Sequence, residues 1–324
     1  MMPTPDPGPD ETIVRVQAAG ICHSDVHYWQ GDPKLPPLPR TLGHEIAGVV
    51  AAMGADVTTV SVGDRVGVHY QTSCGACNFC RSDHDQFCVK GKMFGNSIDG
   101  GYAELVLAPA RNLVPIPAGV DISHAAVMMC STATVFHALR RSRLAPGESV
   151  AVFGLGGLGQ SAVQLARAMG AKEVYGVDLS ATKLDVAARH GAIPIAGGME
   201  ASPTILDAGG ADVALELVGS HITMRQAIDV LKPFGRAMAV GLSSQPTHFT
   251  AFSDLIGREA EILGVADHLL TELPELLDMA ANGAIDLTDV VTSEVPLDER
   301  AVNATFQNLA DFGEGVRTVI RPNS

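Results

Sequence analysis

The stretch from Ser149 to Ala168 constrains this chain more than any other. Ser149-Val150-Ala151-Val152-Phe153 has the apolar, β-branched makeup of a buried strand, Gly154-Leu155-Gly156-Gly157-Leu158-Gly159 follows it, and Gln160 to Ala168 reads as a helix. Strand, G-x-G-x-x-G turn and helix together specify the first βαβ unit of a doubly wound parallel sheet. The first glycine permits the tight turn, the second lets the backbone approach a pyrophosphate, and the third lets helix and strand pack. The helix N-terminus, at Gly157 and Leu158, then faces the phosphates. The next strand, Glu173 to Val177, ends in Asp178, nineteen residues beyond Gly159. A carboxylate there accepts the ribose hydroxyls of NAD and repels the 2′-phosphate of NADP; no arginine directly follows it, so NAD is the expected cofactor.

Alternation of strands and helices extends on both sides of this unit. Ala125 to Leu139 reads as one unbroken helical stretch holding Cys130, and strands are expected at Asp212 to Leu217, Arg236 to Gly241 and Glu261 to Val265, with a helix from Ile222 to Leu231. Val240 and Leu242, flanking Gly241, fall at the C-terminal edge of that sheet, where ligands of such folds bind. Before about residue 123 the pattern is different. Short apolar runs (Glu11 to Ala18, Ile46 to Val50, Arg65 to His69, Gly100 to Ile116) are separated by glycine and proline, and the four prolines between Asp32 and Arg40 rule out a helix there. The chain is therefore expected to hold a β-rich domain over residues 1–125, completed by 268–324, and a dinucleotide-binding domain over 126–267. The tail from Val316 to Ile320 alternates like an edge strand that returns to the first domain.

Six cysteines carry the second strong signal. Cys74-x2-Cys77-x2-Cys80-x7-Cys88 places four thiolates within reach of one tetrahedral Zn²⁺ with no open position, the pattern of a structural site. Phe79 and Phe87 are the only sizeable apolar residues of that lobe, so it has little to fold around without a metal. The gap before Cys88 and the Val89 after it do not match the bacterial iron-sulfur run. Cys22, His44 and the remaining thiol, Cys130, form a different donor set, two sulfurs and an imidazole, which suits a zinc with a fourth position left for a reacting oxygen. They lie far apart, and spacing alone does not show that they meet. Adjacent residues of a strand point to opposite faces, so of Gly43-His44-Glu45 the imidazole is assigned to the metal and Glu45 to its surroundings.

Charge and composition exclude several classes. With 22 basic and 36 acidic residues the net charge is −14, and no lysine- or arginine-rich run interrupts it, so nucleic acid and anionic membrane surfaces are not expected partners. A hydrophobic content of 46% supplies two cores. No basic segment precedes an apolar run at the proline-rich start, the chain is expected to be cytoplasmic, and thiols in that compartment bind metals or do chemistry rather than form disulfides.

Taken together, Gly20-Ile21-Cys22-His23-Ser24-Asp25, Gly43-His44-Glu45, the four-cysteine lobe, Cys130 and the Gly154–Gly159 fingerprint with Asp178 resemble the zinc-containing medium-chain alcohol dehydrogenase family across nearly the whole chain. The resemblance implies a GroES-like catalytic domain beside a Rossmann NAD-binding domain, two zinc ions per chain and hydride transfer between a primary or secondary alcohol and NAD, giving an aldehyde or ketone. It implies that Ser24 and His27 form a proton relay, that Asp25 lies beside His44, and that Glu45 can approach the metal during ligand exchange. Lys183 would contact the cofactor ribose, Thr134 the nicotinamide, Arg317 the pyrophosphate and Trp29 the substrate. A dimer or tetramer is implied as well. Three features depart from the family pattern: a chain that starts where members are already well along, expected to begin upstream; Ser131-Thr132 after Cys130; and Gly264-Val265-Ala266-Asp267-His268 in place of small and hydroxyl residues. Two other readings use the same scaffold. One is a polyol or secondary-alcohol dehydrogenase, against which Cys130 weighs because those enzymes often place a carboxylate there. The other is a catalytically silent nucleotide-binding protein.

Overall fold

The computed structural model describes residues 6–31, 38–311, 313 and 315–323 of the chain; most of the proline-rich stretch after Asp32 lies outside them. Two compact units emerge, one of Met1–Ala133, His268–Gly283 and Val291–Ser324, the other of Thr134–Asp267 and Ala284–Val290. Residues 126–133 thus belong to the first unit, where Met129 packs so tightly on Gly67 that a Cβ at 67 would meet its sulfur at 2.4 Å. Residues 284–290 belong to the second, because Asp286 exchanges two backbone hydrogen bonds with the Gln164 side chain, at 2.7 and 2.8 Å.

The first unit opens with β1 (Glu11–Gly20), α1 (His23–Gln30), β2 (Glu45–Met53) and β3 (Arg65–Val68). Val14 and Val16 are fully buried while Arg15 between them is exposed, the alternation that makes β1 a strand with one face on the core. A two-stranded ribbon, β4 (Gln71–Thr72) with β5 (Lys92–Met93), flanks the cysteine lobe, which contains α2 (Asn78–Arg81) and a 3-10 turn at Asp85–Phe87; β6 (Leu105–Pro109) and β7 (Leu113–Pro115) follow. The run expected as a plain helix is α3 (Ile122–Val127), a π turn at Met128–Thr132, and α4 (Ala133–Arg141). Asp121 caps it by accepting the N–H groups of Ser123 and His124. The widened turn coincides with the Ser131 hydroxyl donating to the Val127 carbonyl at 3.2 Å, a side-chain bond that competes with the regular ladder. Ile122–Arg141 is long and apolar enough to cross a membrane, yet 78% of its most apolar window is buried inside the fold, as in a core helix.

In the second unit β8 (Ser149–Phe153), α5 (Gly157–Ala168), β9 (Glu173–Asp178), α6 (Ala181–Arg189), β10 (Ile193–Ala196), α7 (Ala201–Asp207), β11 (Ala211–Glu216), α8 (His221–Asp229), β12 (Leu231–Ala239) and β13 (Glu261–Gly264) build one parallel sheet. Its order, β10-β9-β8-β11-β12-β13, reverses direction at β8, so the Gly154 turn sits at the switch point where such sheets bind ligands. β12 starts earlier than its composition suggests, with a register shift against β11 that accommodates Pro233 and the left-handed Phe234 (φ 63°).

The chain then returns to the first unit through α9 (Leu273–Ala281), β14 (Val291–Pro296), α10 (Glu299–Ala310) and β15 (Arg317–Arg321). The first sheet runs β14-β15-β1-β2-β3-β7, with β6 also on β1. β15 is therefore internal and not an edge. β14 covers it in parallel, a strand whose polar, largely exposed sequence gives no alternation to read.

Candidate active site

Cys22 stands at the end of β1 just before α1, His44 immediately before β2, and Cys130 in the π turn. One ligand atom from each of Cys22, His44, Glu45 and Cys130 lies within 4.8 Å of all the others. Glu45 thus stands in the surroundings of the three candidate ligands, with a carboxylate oxygen within reach of them. His44 is not in the strand, because Gly43 has φ +95° and turns the chain just before β2; a Cβ at Gly43 would also collide with the Tyr102 ring at 2.4 Å.

Asp25 organises the cluster. Its Oδ1 accepts from Gly43 N–H at 3.2 Å and lies 3.2 Å from His44 Nδ1, while Oδ2 accepts from Cys22 N–H at 3.0 Å and the Tyr102 hydroxyl at 2.9 Å. With Nδ1 engaged, Nε2 of His44 is buried and has no hydrogen-bond partner, and the same holds for Oε2 of Glu45. A buried imidazole nitrogen and a carboxylate oxygen left unpaired beside two sulfurs are costly in a neutral cavity and complementary to a cation. The donor set fits zinc.

Charges reinforce one another here. The Cys22 thiol is held well below its usual range, first by the hydrogen bond from Cys130, which is itself raised because it donates that bond and is buried. Burial would lower His44, but the Asp25 charge and hydrogen bond, together with Cys22, outweigh it and raise the imidazole well above its ordinary value. Burial pushes Glu45 up to about 7, against the pull of Arg317. Arg317 and Glu45 form an ion pair with both side chains almost completely buried. The resemblance assigns Arg317 to a pyrophosphate; the structure turns its guanidinium onto Glu45.

The four lobe cysteines also offer ligand atoms within 4.8 Å of one another. Cys77 and Cys80 sulfurs are 3.5 Å apart, Cys74 and Cys80 4.0 Å, close to the spacing of about 3.8 Å that tetrahedral Zn–S bonds of about 2.3 Å would set. All are free thiols. Backbone N–H groups of Cys77 and Cys74 donate to the sulfurs of Cys74 and Cys88, and backbone hydrogen bonds hold the Cys74 and Cys77 thiols below their ordinary range. Phe79 and Phe87 are 44% and 49% exposed, so the lobe lacks an apolar core of its own.

In the second unit the glycine roles separate cleanly. Gly154 has φ +95°, a Cβ on Gly156 would meet nothing within 4 Å, and one on Gly159 would lie 2.0 Å from the Gly154 carbonyl oxygen. Gly156 caps α5, whose first residues are Gly157 and Leu158, so the open space faces a helix N-terminus. Asp178 closes β9 and accepts from Leu155 N–H at 2.7 Å and Ser180 N–H at 2.9 Å. Lys183 lies in the first turn of α6, Val240 follows β12 half-buried, and Leu242 is 74% exposed.

The remaining candidates scatter more. Ser24 Oγ is 3.9 Å from the Cys22 sulfur, His27 lies three residues on along α1 with its side chain exposed, and Thr134 is half-buried in the first turn of α4. Trp29 is 42% exposed and packs on Phe306, ring centroids 5.6 Å apart. Tyr102 and Tyr70 were not legible as site residues, since each reaches the site through a residue distant in sequence: Asp25 for Tyr102, and His44, 5.4 Å away ring to ring, for Tyr70.

Comparison with known proteins agrees with this geometry. Residues 8–118 match the alcohol dehydrogenase GroES-like domain and residues 157–282 the zinc-binding dehydrogenase domain. The chain is 35% identical to a probable zinc-binding alcohol dehydrogenase of Mycobacterium tuberculosis, covering 98% of this chain and 84% of that one. It is 35% identical to an NADP-dependent alcohol dehydrogenase of Mycolicibacterium smegmatis, over 85% and 81% of the two chains. The crystal structure of the alcohol dehydrogenase from Aeropyrum pernix superposes with a TM-score of 0.91 at 30% identity, covering 99% of this chain and 95% of that one.

Proposed function

The chain belongs to the zinc-containing medium-chain alcohol dehydrogenase family, and from that premise we propose that it is an NAD-dependent enzyme carrying two zinc ions, which interconverts a primary or secondary alcohol with its aldehyde or ketone. The convergence of Cys22, His44 and Cys130 is the observation that carries this reading. These three residues would hold the catalytic zinc, and Cys74, Cys77, Cys80 and Cys88 the structural one. When bound, the catalytic ion supplies Lewis acidity toward the alcohol oxygen, and the nicotinamide supplies the hydride acceptor.

The chain's own groups do the rest. Asp25 fixes the His44 ring with Nε2 facing the site and strengthens it as a donor. Ser24, beside the Cys22 sulfur, takes up the alcohol proton as it passes its own hydroxyl proton on toward the exposed His27 further along α1, which releases a proton to water. Arg317 pairs with Glu45, opposing the burial that raises its carboxyl, and holds it within reach of the metal position. In the second unit Gly156 leaves room for a pyrophosphate at the head of α5, and Asp178 favours an unphosphorylated ribose. Lys183 is assigned to that ribose, Thr134, Val240 and Leu242 to the nicotinamide side, and Trp29 to the substrate.

Zinc per chain, measured together with NADH and NADPH formation over primary, secondary, aromatic and polyol alcohols, tests the proposal. Two zinc ions and faster turnover with NAD are expected. One zinc with no turnover would favour the silent nucleotide-binding reading, and equal rates with both cofactors would remove the role of Asp178. A dimeric or tetrameric assembly in the cytoplasm belongs to the same proposal, with sedimentation and cell fractionation as its checks.

A further inference from the structure

His268 ends the segment that departs from the family pattern. Its imidazole is fully buried, with Nε2 3.1 Å from Nδ1 of His69, which is fully buried just past β3. The rings meet edge to face at 4.9 Å. On its far side His69 directs Nε2 at the Asp85 carboxylate, 3.9 Å away in the turn between Cys80 and Cys88. The neighbour of His69 in sequence, Tyr70, stands edge-on to His268 at 5.3 Å and edge-on to His44 at 5.4 Å. Contacts therefore run without a break from the cysteine lobe to a candidate zinc ligand.

The proton positions follow from elementary chemistry. A neutral imidazole carries one N–H and one lone pair. Burial keeps His69 neutral. Its Nε2 faces a carboxylate, which attracts an N–H and repels a lone pair, so the proton sits on Nε2 and Nδ1 accepts. His268 must then donate from Nε2. Asp85 thus sets the tautomer of one ring, and through it the orientation of the other.

We propose that His69 and His268 are positioning residues for the alcohol dehydrogenase reaction: their oriented pair holds Tyr70 edge-on against His44 and keeps that imidazole seated. Only the kinetic part of this inference rests on the function proposed above.

The test uses the zinc-loaded full chain and three variants. His268→Leu keeps bulk but loses the N–H, His268→Gln keeps an N–H donor near the same place, and Asp85→Asn removes the charge that orients His69. His268→Leu is expected to lower kcat/KM by about 10-fold, the lower end of what supporting residues around a metal site contribute, and His268→Gln to recover most of it, both with two zinc ions retained. Nitrogen-15 spectra of the histidine rings are expected to show His69 as a single Nε2–H tautomer in the parent protein and as a mixture in Asp85→Asn. Unchanged kcat/KM in His268→Leu, or an equal loss in His268→Gln, overturns the positioning role. An Nδ1–H tautomer at His69 overturns the proton assignment. If the parent protein oxidises no alcohol, the dehydrogenase reading fails, while the tautomer spectra still decide whether the pair is oriented as described.

Discussion

The Asp25 carboxylate lies 3.2 Å from Nδ1 of His44, and neither side chain is exposed. Because the other oxygen of Asp25 takes the N–H of Cys22, one residue ties together two candidate ligands 22 positions apart. Asp25→Asn keeps the volume but sets an amide N–H against at least one of these donors. Zinc affinity at the Cys22 site is expected to fall by roughly 10- to 100-fold while the cysteine lobe keeps its ion. Zinc per chain under a competing chelator, dropping from two toward one, checks this; two ions retained as firmly as in the parent would contradict it.

The pairing of Glu45 with Arg317 is buried on both sides. Arg317→Met removes the ion-pair partner of a buried carboxyl and is expected to cost about 3–5 kcal/mol, whereas the double change Glu45→Gln with Arg317→Met recovers most of that loss. Urea unfolding of the two proteins gives the comparison.

His69 makes the fold sensitive to acid. Burial lowers its pKa from 6.5 to about 3, so between those values the unfolded chain binds a proton that the folded chain refuses. Its contribution is fully present above pH 6.5 and is lost as pH falls toward 3, at up to about 1.4 kcal/mol per pH unit. Going from pH 7 to pH 5 the parent protein is expected to lose about 2 kcal/mol more than His69→Asn. Equal losses in urea titrations at the two pH values would refute the assignment.

Loss of the zinc proposed for the cysteine lobe is expected to unfold the lobe locally. Phe79 and Phe87 are too exposed to hold residues 74–88 together, and binding free energy in such lobes is folding free energy. Cys77→Ser is expected to raise the rate of limited proteolysis between Cys74 and Val89 by about 10-fold or more, as protection there falls toward that of an open loop.

Two glycines of the phosphate turn are expected to fail in different ways. Gly159→Ala drives a methyl into the Gly154 carbonyl, 2.0 Å away, and lowers Tm. Gly156→Ala meets only open space within the chain, so Tm is retained while NADH affinity, followed by its fluorescence, drops several-fold.

What could be read without coordinates was local. The Ser149–Ala168 stretch announces its sheet because strand, turn and helix are contiguous, and Gly154, Gly156 and Gly159 differ in backbone conformation and in the space around them. The unbroken helix expected around Cys130 shows the limit: composition supports a helix, but the π turn coincides with a hydroxyl that bonds one of its carbonyls, which periodicity does not register.

The amino-acid order by itself determined the two architectures, the four-thiol lobe and the identity of the metal-type side chains, since each depends on spacing within a few residues or on chemistry a residue carries anywhere. Tertiary structure alone decided that Cys22, His44 and Cys130 converge, that Glu45 turns to the same point, that β15 lies inside its sheet, and that Arg317 reaches Glu45 across 272 residues of chain. Those outcomes depend on which strands pair and how one glycine at position 43 redirects the backbone. Long-range burial, not local pattern, selects them.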